Sequence, residues 1–127
     1  MKRETIRVPS LVQYEITSHV VKAGGLVFTT GTLGVVPATG KMASDEIRGQ
    51  GRQALENIKT ALEAVGTSMD NVVKITCFYL NLDDKPAFNE IYKEYFKKGM
   101  PARIGVAAAG LSSGAVIEMD AIATMPD

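Results

Sequence analysis

Tryptophan is absent from this chain, cysteine and histidine occur once each, at Cys77 and His19, and fourteen basic residues cancel fourteen acidic ones. Each scarcity excludes something. A single cysteine closes no disulfide within the chain, and one cysteine beside one histidine falls short of a Cys/His zinc site. Balanced charge supplies no basic excess to hold nucleic acid or an anionic membrane surface. Long apolar runs are missing too. The longest, Ile104 to Leu111, is far below the roughly 20 residues a membrane span needs, and the charged opening MKRETIRVPS leads into no apolar signal segment. Ala23-Gly24-Gly25 lacks the strand-to-helix setting of a phosphate loop and reads as a hairpin turn. The chain therefore reads as cytosolic. Its expected partners are small molecules or other protein chains, with no nucleic acid, no membrane and no cofactor.

What is present fits one domain over residues 1–127, with no repeat, linker or low-complexity tract. Two β-rich runs, Thr17 to Lys22 and Leu26 to Thr30, flank the glycine turn as a hairpin, and Pro37 to Gly40 is a further turn. Ile47, Leu55, Ile58, Leu62 and Val65 recur at helical spacing. They predict an amphipathic helix over about Asp45 to Val65, with Ser44 as N-cap and Gly66 past its end, weakened by Gly49 and Gly51. Val72 to Leu80 is apolar on both faces, with Val73, Ile75, Cys77 and Tyr79 on one and Val72, Phe78 and Leu80 on the other, and so reads as a central strand. A second helix over Lys85 to Lys97 carries Phe88, Ile91, Tyr92, Tyr95 and Phe96 on one stripe and stops before Gly99. Two last strands, Ala102 to Ala109 and Val116 to Met125, are expected to be neighbours. The order predicts an α+β fold in which a single mixed sheet carries two helices on one face. Its other face, also apolar, needs a cover, and oligomerisation supplies one.

Charges in the apolar C-terminal quarter mark the candidate site. Alternation puts Arg103, Gly105 and Ala107 on one strand face, and Glu118 and Asp120 together on another. If the two strands pair, arginine and carboxylate line one small cavity. A planar guanidinium with small neighbours suits bidentate capture of a carboxylate. A structural Arg103–Glu118 ion pair filling its own space is the competing reading.

At these residues the chain resembles a known family. The stretches VVKAGGLVFTTGTLGVVPATGKM, QALENIKTALEAVG and FNEIYKEYF, the PAR of Pro101 to Arg103, and IEMDAIA at Ile117 to Ala123 are similar, in this order and spacing, to the Rid (YjgF or L-PSP) family of enamine/imine deaminases. The resemblance implies a chorismate-mutase-like fold assembled as a homotrimer with pockets between subunits. It implies that Arg103 grips the carboxylate of a 2-iminoacid, that Glu118 orients or activates water, and that backbone at Gly31 and Gly105 lines the same pocket. The chain departs from familiar members in three places. Thr17, in Glu15 to His19, stands where the family has a tyrosine, Thr32 where a glutamine is common, and Gly105 where a cysteine is frequent. Thr17 is thus the expected substrate contact in the tyrosine's place, and substrate preference is the property these changes touch.

Hydrolysis of an imine to a 2-oxoacid and ammonia needs positioning and a proton shuttle, with no metal or nucleotide. Two rivals remain on the sequence: a noncatalytic carboxylate-binding or chaperone-like trimer using the same Arg103 pocket, and the ribonuclease activity of the family's older label. Chorismate mutase is disfavoured, since fold does not imply function. His19 reads as a strand or interface residue, Cys77 as a small strand hydrophobe, Asn89 as a helix-surface residue near the pocket, and Asp120 as secondary to Glu118.

Overall fold

The structure, a computed structural model, describes residues 2–127. The first strands are β1 (Arg3–Ile6), β2 (Val20–Ala23) and β3 (Leu26–Thr29), joined as an antiparallel meander. Ala23 faces Leu26 across a two-residue turn whose glycines, Gly24 and Gly25, have φ of 58° and 78°. Both positions are left-handed, as a type I′ hairpin requires. Thr17 to His19 precede β2 rather than extending it. After β4 (Thr32–Leu33), a small separate hairpin of β5 (Val35–Val36) and β6 (Lys41–Met42) carries the Pro37 to Gly40 turn.

Helix α1 (Ile47–Ala64) begins two residues later than expected, and its cap is Glu46 rather than Ser44. The Glu46 carboxylate accepts from the Arg48 and Gly49 amides at 2.9 and 2.7 Å, while the Ser44 hydroxyl accepts from the Glu46 amide. A carboxylate at the helix N-terminus also meets the positive end of the dipole. At the other end the amides of Gly66 and Thr67 bond the carbonyls of Glu63 and Leu62, a Schellman closure. Gly51 costs intrinsic helicity but lets the helices meet, because a β-carbon there would run into the Phe88 ring of the second helix.

The remaining elements are β7 (Val72–Tyr79), α2 (Lys85–Tyr95), β8 (Ala102–Ala107) and β9 (Ile117–Thr124). The mixed main sheet runs β1-β2-β3-β9-β7-β8, with β4 pairing β9 beyond the end of β3. Thus the expectation that the last two strands adjoin is corrected: β9 lies between β3 and β7, antiparallel to both, and β8 runs parallel to β7 at the edge. A strand, helix and strand in succession lie parallel and side by side, so β7-α2-β8 occupies one side of β7 and leaves the other for β9. The intervening loop hops over the end of β7, where the Ala108 amide bonds Tyr79 and the Leu80 amide bonds Val116.

Both helices cover the same sheet face. Leu55, Ile58 and Leu62 of α1 and Phe88, Ile91 and Tyr92 of α2 form one buried cluster with Ile75, Cys77 and Tyr79 of β7 and Ile117, Met119, Ala121 and Ala123 of β9. Along β7 the alternation differs from the expected faces at one point. Val72 is buried and Val73 exposed, because a bulge between Val72 and Lys74 shifts the register and reverses the alternation there. Among the described residues no helix covers the opposite face, where Phe28, Val73, Ile104 and Val106 stand 37–48% exposed.

Candidate functional site

Register decides where the charges go. Arg103 lies beside Ile75 in the β7–β8 ladder, and Glu118 beside Phe78 in the β7–β9 ladder. Ile75 and Phe78 are three residues apart on β7 and so point to opposite faces. Arg103 is on the helix-covered side and Glu118 on the open side. The single cavity expected from β8–β9 pairing therefore does not form within one chain, and no Arg103–Glu118 ion pair exists among the described residues. The two residues occupy separate clefts.

Glu118 lines a cleft of about 250 Å³ together with Thr17, Gly31, Thr32 and Leu33, walled by Asn57 and Ala61 of α1. Its position depends on a break in the sheet. β3 pairs β9 at 122–124 and β4 pairs it at 118–119, so the chain leaves the ladder at Thr30–Gly31. The Ala121 amide that this break would strand is taken by the Thr29 hydroxyl at 3.0 Å. Gly31 then lies directly against the Glu118 carboxylate, where any β-carbon would collide with it. His19 braces the loop that carries Thr17. Its Nδ1 accepts from the Val8 amide at 2.8 Å, which leaves Nε2 to donate to the Val12 carbonyl at 2.8 Å. Both ring nitrogens are engaged in structure, so His19 is no free base.

Arg103 lines a second, more open groove of about 400 Å³ with Lys85, Asn89, Tyr92, Lys93, Met100 and Pro101. One nitrogen, Nη2, donates to the Tyr79 hydroxyl at 2.6 Å and to Asn89 Oδ1 at 2.7 Å. The guanidinium carbon sits 4.5 Å from the Tyr92 ring centroid and 5.6 Å from that of Phe88. Aromatic faces and two neutral acceptors fix the cation without neutralising it. Burial pushes the Tyr79 hydroxyl well above its ordinary range and the Tyr92 hydroxyl up to about 12, each partly opposed by Arg103. Both phenols stay protonated at neutral pH.

Thr17, Gly31 and Glu118 are thus gathered in one cleft, whereas Arg103 lies in the other and Gly105 on the same strand face, two residues on. Asn89, read from sequence only as near the pocket, bonds Arg103 directly. Tyr79 was legible as a strand residue but not as an arginine partner, since that contact depends on the parallel β7–β8 register. Lys85 gave no sequence signal. Asp120 shares the Glu118 face but lines neither cleft. Cys77 is fully buried and burial raises its thiol pKa, which makes it inert rather than nucleophilic.

A single mixed sheet with two helices on one face, an uncompensated arginine beneath them and a carboxylate exposed through a sheet break defines an α+β protein with two separate clefts. The comparisons with known proteins place it further. Residues 7–125 match the family model described as Endoribonuclease L-PSP. A RutC family protein of Pyrococcus horikoshii is 41% identical over 106 residues, 84% of each chain. The 2-iminobutanoate/2-iminopropanoate deaminase of Homo sapiens is 36% identical over 106 residues, 84% of this chain and 77% of that one. The crystal structure of a putative endoribonuclease L-PSP from Entamoeba histolytica superimposes with a TM-score of 0.93 at 37% identity, covering 98% of this chain and 100% of that one. The chain belongs to the Rid (YjgF/L-PSP) family, which includes imine deaminases.

Proposed function

We propose that this protein hydrolyses 2-imino acids and their enamine tautomers to 2-oxoacids and ammonia, in pockets completed between the subunits of a homotrimer. The observation that carries the reading is Arg103: its Nη2 is held by Tyr79 and Asn89, no carboxylate pairs with it among the described residues, and its other nitrogens are left to take a substrate carboxylate. Because Arg103 and Glu118 occupy different clefts of one chain, a site using both needs a second copy. The bare sheet face with Phe28, Ile104 and Val106 is the surface that would bring copies together.

Arg103 supplies orientation, presenting C2 of the C=N bond to water held by Glu118. Glu118 accepts a proton as the water oxygen bonds to C2, and the imine nitrogen takes up a proton from solvent or from the same carboxyl. The tetrahedral carbinolamine then collapses. The hydroxyl proton passes, through Glu118 or solvent, to the amino nitrogen, the C–N bond breaks, ammonia leaves and the carbonyl of the 2-oxoacid forms. No redox step is involved.

The test couples an amino-acid oxidase, which generates imines from a panel of amino acids, to measurement of imine decay with and without the protein. Faster decay supports the proposal. Binding of a 2-oxoacid with decay unchanged would instead establish the noncatalytic carboxylate binder.

A further inference from the structure

The Arg103 groove holds more positive charge than one carboxylate requires. Lys85, Lys93 and Arg103 line it and no acidic side chain does. The acids of α2 are engaged elsewhere: Glu94 pairs with Arg52 at 3.0 Å, and Glu90 lies 3.7 Å from Arg48, both on the α1 side. None of the three cations forms an ion pair among the described residues. Like charges gathered in one concavity repel, and an anion seated among them removes that cost.

Gly105 makes room for Lys85 to take part. It lies two residues from Arg103 on the same strand face, about 7 Å along the strand. A β-carbon at Gly105 would lie 4.0 Å from both Cε and Nζ of Lys85 and 3.2 Å from a Tyr79 ring carbon. The end of Lys85 therefore reaches over the bare backbone of Gly105, beside the Tyr79 ring whose hydroxyl accepts from Arg103. A second observation points to an absent ligand. Tyr92, only 4% exposed and part of the groove wall, has a buried hydroxyl with no hydrogen-bond partner among the described residues. Buried hydroxyls are ordinarily paired.

We propose that Lys85 is a second anion contact, and that the groove selects a dianionic 2-imino or 2-oxo acid, one whose side chain ends in a carboxylate, over a monoanionic one with an alkyl side chain. This rests on the proposed role of Arg103 as the α-carboxylate clamp. Lys85 sets specificity, while Arg103 remains the primary contact. Lys93, one helical turn beyond Asn89, adds to the field.

Calorimetric titration with 2-oxoglutarate and 2-oxobutanoate at fixed ionic strength tests it. The wild-type protein should bind the dianion about tenfold more tightly, by a margin that shrinks as salt is added. Lys85→Met should bring the ratio of the two affinities close to one, and Lys85→Arg should keep it above one. Lys98→Met, which removes a charge paired with Asp70 at 3.4 Å away from the groove, should leave the ratio as it was. A wild-type ratio of one or below overturns the proposal, as does an equal change in Lys85→Met and Lys98→Met. Running the imine assay beside the titrations separates the two readings. A Lys85-dependent preference without turnover sinks the deaminase and keeps the dianion site, and turnover without the preference does the reverse.

Discussion

At the scale of single residues, the candidate chemistry depends on an arginine that is held but not neutralised. Arg103→Lys should be nearly as damaging as Arg103→Ala, since a point charge reproduces neither the fork nor the stacking on Tyr92. Either change should cost about 2–5 kcal/mol, roughly 30-fold or more in kcat/KM or in 2-oxoacid affinity. Retention of full imine-hydrolysing activity by folded Arg103→Ala would refute its role. Glu118→Gln removes the proton acceptor and keeps the size, so turnover should fall while an unreactive 2-oxoacid still binds. Gly31→Ala tests the same carboxylate from its other side. The new methyl must displace the end of Glu118, a flexible group, so activity should drop while the melting temperature changes little. A variant with unaltered kinetics would mean that the carboxylate's resting place against Gly31 is irrelevant to function.

Elements carry a pH signature of their own. The α1 cap is a carboxylate whose pKa is lowered, chiefly by the Arg48 and Gly49 amides it accepts from. A depressed folded pKa gives a contribution that is present above the unfolded value and lost as pH falls through the folded one. Glu46→Ala should therefore lower Tm at pH 7 and lower it progressively less towards pH 3, as the wild-type cap itself becomes protonated. Thermal melts over that range decide the matter, and a pH-independent difference would assign the loss to something other than the charge. The choice of Glu46 over Ser44 was not legible from residue type, because serine is the more usual cap. Which of two nearby oxygens reaches the free amides depends on how the β6–α1 turn is folded.

For the whole molecule, two bulk measurements apply. Tyr79, Tyr92 and Tyr95 all have hydroxyl pKa values raised, first of all by burial, the last two to about 12. Above about pH 10 the unfolded chain ionises these groups while the folded one keeps them protonated, so the unfolded state is favoured as pH rises. Stability should fall steeply with pH from 10 upward, and a spectrophotometric titration should find most tyrosines unionised until the fold gives way. Assembly is the second. Sedimentation at micromolar concentration should give a species near three times 13.6 kDa. Val106→Asp, placing a charge on the open face, should yield a folded monomer without activity. A stable wild-type monomer would remove the surface argument and the shared pocket with it.

The amino-acid order was enough to read the elements and their faces wherever the cause was local. The Gly24-Gly25 turn, the two amphipathic helices, the alternation along β9 and the bare apolar face follow from backbone preferences and from period 3.6 or 2. It also carried the family resemblance through the Arg103 and Glu118 motifs, and with it the identity of the candidate residues. Their arrangement comes from the folded chain. Whether a strand turns back as a hairpin or crosses over its neighbour is a choice among partners distant in the chain, so β9 between β3 and β7 left no mark in the loop before it. The bulge at Val72–Lys74, the Tyr79 and Asn89 contacts to Arg103, and the reach of Lys85 over Gly105 all depend on register between strands. Register also sends Arg103 and Glu118 to opposite faces, because one residue's difference in pairing reverses the direction of every side chain on a strand.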